Sequence, residues 1–163
     1  MATRDSFSSK EWDVLAQTPD AVCMAMIAAQ EGGTVEERNA FFKAWDASAD
    51  QPFSDNQLVL TLIRSRDAGS EELAFMASAD ESYSSMQAGA TREAALAWCR
   101  SAGELLRTKG TTEDFDAYRQ WLLFIAEHIA QSSKTGGFLG IGGKAISNSE
   151  QDLMNDIAAA LKG

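Results

Sequence analysis

The chain reads as an all-α protein, a single helical bundle of about six to eight helices, and three observations carry that reading. Apolar residues recur at i, i+3 and i+4 in one segment after another, most clearly at Phe115, Tyr118, Trp121, Leu122, Ile125, Ala126 and Ile129. Ser or Thr followed three residues later by Glu or Gln heads several of these segments, which is the pattern of a capping box. No segment alternates apolar and polar residues as a half-buried strand does.

Taken in order, Ser8-Ser9-Lys10-Glu11 is a capping box that starts a short helix bearing Trp12, Leu15 and Ala16. Thr18-Pro19 then predicts a restart, with Thr18 as cap and Pro19 in the first helical position. The run Ala21 to Ala29 is apolar all round and belongs in the middle of a bundle, ending at Gln30-Glu31-Gly32-Gly33. Thr34-Val35-Glu36-Glu37 begins the next helix, with Ala40, Phe41, Ala44 and Trp45 at helical spacing. After Pro52, Ser54-Asp55-Asn56-Gln57 repeats the capping pattern ahead of Leu58, Leu60, Leu62 and Ile63.

Asp67 to Ser70 is a breaker, and a short helix is expected from Ser70 to Ala79. The Ser-rich segment 80–89 fits either a helix or a linker between halves 8–79 and 90–163. From Ala90 to Thr108 one face carries Ala94, Leu96 or Ala97, Trp98, Ala102, Leu105 and Leu106, and Gly110 stops the helix. Thr111-Thr112-Glu113-Asp114 opens the strongest helix. Ser147-Asn148-Ser149-Glu150 is a further capping box, before Leu153, Met154, Ile157, Ala158 and Leu161.

A hydrophobic content of 45% over 163 residues suits one folded domain. The net charge of -10 argues against nucleic acid and anionic membrane surfaces, which need clustered Lys or Arg. Met1 to Ser6 lacks the apolar core of a signal peptide, and no run approaches a membrane span, so a cytoplasmic protein is expected. Cys23 and Cys99 stand in apolar helical surroundings and fit reduced, buried thiols.

Thr135 to Lys144, Thr-Gly-Gly-Phe-Leu-Gly-Ile-Gly-Gly-Lys, has the most unusual composition, with five of the twelve glycines. Gly140 to Ala145 formally fits a relaxed dinucleotide fingerprint, but a helical run precedes it where a strand is required. A nucleotide-triphosphate loop needs a Gly where Phe138 stands and Ser or Thr where Ala145 stands. Both phosphate readings fail. Phe138, Leu139 and Ile141 then either close the end of the bundle as a lid or form a docking patch for a partner, with Lys144 beside them.

A weak internal echo links the two ends of the chain. Ile27-Ala28-Ala29-Gln30, a double glycine and Thr34-x-x-Glu37 are matched by Ile129-Ala130-Gln131, a double glycine and Ser147-x-x-Glu150. The pattern suits duplicated helical units. It resembles the tellurite-resistance B-like all-helical proteins of bacteria, and Gly136 to Glu150 resembles the tail of small uncharacterised bacterial helical proteins. The first resemblance implies an all-helical fold. That family places Asp at the turn, where an acidic cluster can hold a metal; Gln30-Glu31-Gly32 and Gln131-Ser132-Ser133 depart from this, so no metal site is carried over.

Catalytic constellations are sparse. His128 is the single histidine, which excludes a two-histidine zinc site and the paired Glu-x-x-His of di-iron bundles. A Cys-His pair would need Cys23 or Cys99 to meet His128. Glu36-Glu37, Glu71-Glu72 and Glu113-Asp114 fall in first helical turns, where the helix dipole alone accounts for them. Trp12, Trp45, Trp98, Tyr118 and Trp121 read as core.

Two functional expectations follow. The first is a non-enzymatic cytoplasmic protein without cofactor or metal, which binds another protein or a second copy of itself through Phe138, Leu139, Ile141 and Lys144. The alternative is a small-ligand or divalent-cation-binding bundle, related to stress proteins of the tellurite-resistance type, in which Glu31, Glu36 and Glu37 approach a cation.

Overall fold

A computed structural model describes residues 1–29, 34–65, 85–132 and 148–163. Among these are six α-helices and two 3-10 turns, with no strand: α1 (Ser9–Ala28), α2 (Thr34–Ser48), α3 (Gln57–Ser65), α4 (Ser85–Lys109), α5 (Thr112–Ser132) and α6 (Asn148–Lys162). The turns are Arg4–Ser6 and Pro52–Asp55. The all-α bundle is as the apolar rhythm predicts. No helix among the described residues is long and apolar enough to cross a membrane.

α5 is the centre of the bundle and packs against α1, α2, α3, α4 and α6. Its sequence explains why: Tyr118, Trp121, Leu122, Ile125, Ala126 and Ile129 are fully buried, and burying each large apolar side chain contributes roughly 1.5–3 kcal/mol. α1 lies along α4, α4 along α6, and α2 along α5. Trp121 stacks edge-on to Trp45 and to Tyr118, with centroids 5.1 and 5.7 Å apart, the geometry that ring quadrupoles favour.

The polar ends of these rings are satisfied inside the core. Trp121 Nε1 donates to Ser48 Oγ at 3.1 Å, Ser48 Oγ donates to the Ala44 carbonyl at 2.6 Å, and Trp45 Nε1 donates to the Ile63 carbonyl at 3.1 Å. These bonds fix α2 against α5 and tie it to the end of α3. They also avoid the cost of a buried donor without a partner.

Three expectations are corrected. Thr18-Pro19 does not restart the chain, because α1 runs unbroken through Pro19. Proline removes the N–H that would bond to the carbonyl of residue 15, and the Tyr118 hydroxyl donates to that carbonyl instead, at 2.8 Å. Ser54 does not cap α3: Asn56 does, with its Oδ1 accepting from the Val59 N–H at 3.1 Å, while the Ser54 hydroxyl turns back to the Ala49 and Gln51 carbonyls. On α4 the buried face is Ala95, Leu96, Cys99, Ala102 and Leu106, whereas Ala94 and Ala97 are exposed and Trp98 is half-buried.

Other expectations stand. Ser8 and Glu11 form the reciprocal capping box of α1. Gly110 closes α4, with its N–H on the Leu106 carbonyl at 2.9 Å. Of segment 80–89, residues 85–89 belong to α4. The helix expected over 70–79 and the loop 135–144, with Phe138, Leu139, Ile141 and Lys144, lie outside the described residues.

Thr111 caps α5 in a box closed by Asp114. The Asp114 N–H donates to Thr111 Oγ1 at 3.1 Å, and the Thr111 N–H donates to Asp114 Oδ2 at 2.9 Å. Asp114 also accepts from Asn56 Nδ2 at 2.8 Å and from the Ala2 backbone nitrogen at 2.9 Å. One buried carboxylate thus ties the N-terminal segment, the start of α3 and the start of α5 together. Burial would raise its pKa, but these hydrogen bonds outweigh burial and hold it below the ordinary carboxylate range.

Candidate functional site

The first turn of a helix favours negative charge, because its N–H groups are unsatisfied and its dipole is positive there. Glu37 occupies the first turn of α2 and Glu150 the first turn of α6. An exposed glutamate there needs no further account. These two are different, since both are sealed from solvent, at 0% and 1% exposure.

Glu37 has no compensation among the described residues. Both of its carboxyl oxygens are buried without a hydrogen-bond partner. Burial, then the charge of Glu150, then that of Glu36, push its pKa from the ordinary 4.5 up to about 8. Two carboxylates from distant parts of the chain therefore lie within electrostatic reach of one another. A cleft of about 370 Å³ borders the same end of α6, lined by Ala25 and Ala28 of α1, Ala29 at its C-cap, Arg92 of α4, and Ser149 and Asp152 of α6. Arg92 is held by Asp156.

Such a pair is confined to a few chemistries: it can hold one proton in common, or its oxygens can take a hard cation. Among the described residues no group of three or more His, Cys, Asp or Glu side chains gathers as a ligand set. Glu37 and Glu150 would therefore leave further positions around a cation to water, as Mg²⁺ does when held by one or two carboxylates.

The other singled-out residues are placed as follows. Cys23 and Cys99 are both buried, and burial pushes the Cys99 thiol up to about 12, which leaves it unreactive. His128 is half-buried, its Nδ1 is 2.9 Å from the Phe124 carbonyl, and its ring lies on Phe124 with centroids 4.1 Å apart. Trp12, Trp45, Tyr118 and Trp121 are core. Glu36 is exposed. Glu31 lies outside the described residues, as do the four loop residues.

In the sequence Glu37 stands beside Glu31 and Glu36 as a candidate cation ligand, whereas Glu150 is marked only by the internal echo, which aligns Thr34-x-x-Glu37 with Ser147-x-x-Glu150. Comparison of the chain with models of known protein families, with curated proteins and with solved structures finds no match in any of the three.

Proposed function

We propose that the protein is a non-enzymatic helical bundle of the bacterial cytoplasm that binds a divalent cation between the first turns of α2 and α6, through Glu37 and Glu150. The observation that carries this reading is the Glu37 carboxyl group, wholly buried with both oxygens unpartnered and with Glu150 raising its pKa. A buried carboxylate is ordinarily paired or bound to metal. Carboxylate oxygens select hard cations, so Mg²⁺, Ca²⁺ and Mn²⁺ are favoured over Zn²⁺. Glu37 and Glu150 also occupy matched positions in the internal echo, Thr34-x-x-Glu37 and Ser147-x-x-Glu150.

Thermal melts with chelator and with each cation test this reading. At a cation concentration of about 100 Kd the native state gains about 2.7 kcal/mol, a rise of roughly 5–10 °C for a chain of this size. Glu37→Gln and Glu150→Gln abolish the rise. Identical midpoints with and without all three cations would rule the reading out.

The second reading is the apolar loop 135–144 as a docking segment for a protein partner or a second copy. It rests on composition, three large apolar residues set among five glycines.

A further inference from the structure

Asp114 is wholly buried and ionised at neutral pH, because its pKa is held below the carboxylate range. Buried charges are normally paired with an opposite charge. Here the donors on Asp114 among the described residues are the backbone N–H groups of Ala2 and Thr111 and the side-chain amide of Asn56, all neutral. One of the three differs from the others. The Ala2 nitrogen, 2.9 Å from Oδ2, is a single peptide bond away from becoming an amine.

The surroundings of that bond suit its removal. Ala2 is buried at 4% exposure, whereas Met1 projects into solvent at 62% and is the one large hydrophobic side chain exposed among the described residues. Methionine aminopeptidases act where the second side chain is small, and alanine meets that requirement. Phe7 packs on Trp12, and Arg4 lies over the Trp12 ring at 4.9 Å, so the segment behind Ala2 is anchored independently of Met1.

We propose that, in a chain starting at Met1, the Met1–Ala2 bond is a processing site, and that the α-ammonium group uncovered at Ala2 becomes the counter-ion of the buried Asp114 carboxylate. The step is a hydrolysis. The bond from the Met1 carbonyl carbon to the Ala2 nitrogen breaks, the hydroxyl of water joins the departing methionine, and its hydrogen goes to the Ala2 nitrogen. That nitrogen takes one more proton from solvent, because an α-amine ordinarily titrates near 7.7–8.0. A neutral hydrogen bond becomes a charge-assisted one, roughly twice as strong.

The test compares the 163-residue chain produced in bacteria with the same chain produced while methionine aminopeptidase is inhibited. Intact mass should show complete loss of Met1 in the first preparation. The processed form should melt about 2–4 °C above the Met1-retaining form, the shift expected for 1 kcal/mol in a chain of this size, and Asp114→Asn should erase the difference. Retention of Met1, equal midpoints, or a difference undiminished in Asp114→Asn would overturn the proposal. Should Asp114→Asn fail to fold, acylation of the Ala2 amine in the processed wild-type protein decides. It should be several-fold slower than in a free peptide of the same N-terminal sequence, and an equal rate would overturn the proposal.

Discussion

The Tyr118 hydroxyl donates to the carbonyl of Leu15 at 2.8 Å, across the contact between α5 and α1. That carbonyl is the one left without its helical donor by Pro19, four residues later in the same helix. Thr18, beside the proline, returns its own hydroxyl to the Val14 carbonyl at 2.6 Å. A side chain remote in sequence thus restores the ladder at the point where proline breaks it, and α1 continues for two and a half turns beyond.

Tyr118→Phe should therefore destabilise the protein by about 1–3 kcal/mol, since it leaves a buried carbonyl without a donor while hardly changing packing. Pro19→Ala restores an N–H at that position, so the tyrosine substitution should cost less in the Pro19→Ala background. Urea unfolding of the two single variants and the double variant measures the coupling. Strict additivity would show that the hydroxyl does not compensate for the proline.

The same pair shows what sequence reading can reach. The face of α5 is legible because large apolar residues alternate with Glu, Asp, Arg and Gln, so the helical rhythm has contrast. α4 lacks that contrast: in Ala94-Ala95-Leu96-Ala97 the neighbouring alanines offer nearly equal apolar area, and the true face at Ala95 and Leu96 is set by packing on α1 and α6. Continuity through Pro19 depends on Tyr118, 99 positions further along the numbering of the chain. Asn56 displaces Ser54 as a cap because Pro52 first winds a 3-10 turn. Glu37 and Glu150 are each ordinary in local sequence, and only their convergence makes them unusual.

The cation-free protein should lose stability as pH rises from about 4.5 to 8. The folded pKa of Glu37, about 8, lies above its ordinary 4.5, so the native state binds more protons than the unfolded state throughout that interval. Stability from this group is fully present below 4.5 and is lost as pH climbs through 8. Asp114 acts in the opposite direction, since its folded pKa is depressed and its contribution disappears as pH falls through that value. Urea unfolding in chelator should show the alkaline decline in wild type and a flatter profile in Glu37→Gln. An equal slope in both would remove Glu37 as its source.

If loop 135–144 is a docking segment, Phe138→Ser and Leu139→Ser should weaken association by at least 1 kcal/mol each, about fivefold in affinity, which is the scale of an interface anchor. The fold should survive, with circular dichroism and the thermal midpoint retained. Sedimentation velocity over a range of concentrations tests self-association. A protein that is monomeric at every concentration, in wild type and in both variants, would eliminate a second copy as the partner.

Gly103 of α4 lies so close to Leu161 of α6 that a Cβ on Gly103 would clash with the Leu161 carbonyl oxygen. The atom in the way is backbone, so no rotamer change can relieve the clash. Arg107, one turn further along α4, donates to that same carbonyl at 2.5 Å, satisfying one of the C-terminal carbonyls that α6 leaves without an intrahelical donor. Gly103 thus gives up helix propensity, roughly 1 kcal/mol relative to alanine, in return for seating the end of α6 against α4. On an exposed helix Gly→Ala would stabilise by that amount. Here Gly103→Ala should destabilise by about 1–3 kcal/mol or more, because overpacking must push the two helices apart. Arg107→Ala should act in the same direction with a smaller effect. Hydrogen exchange localises the result: the loss of protection should concentrate in the last turns of α6 and leave α2 and α3 unchanged. A stabilised Gly103→Ala protein would mean that α6 does not seat on α4 at this point.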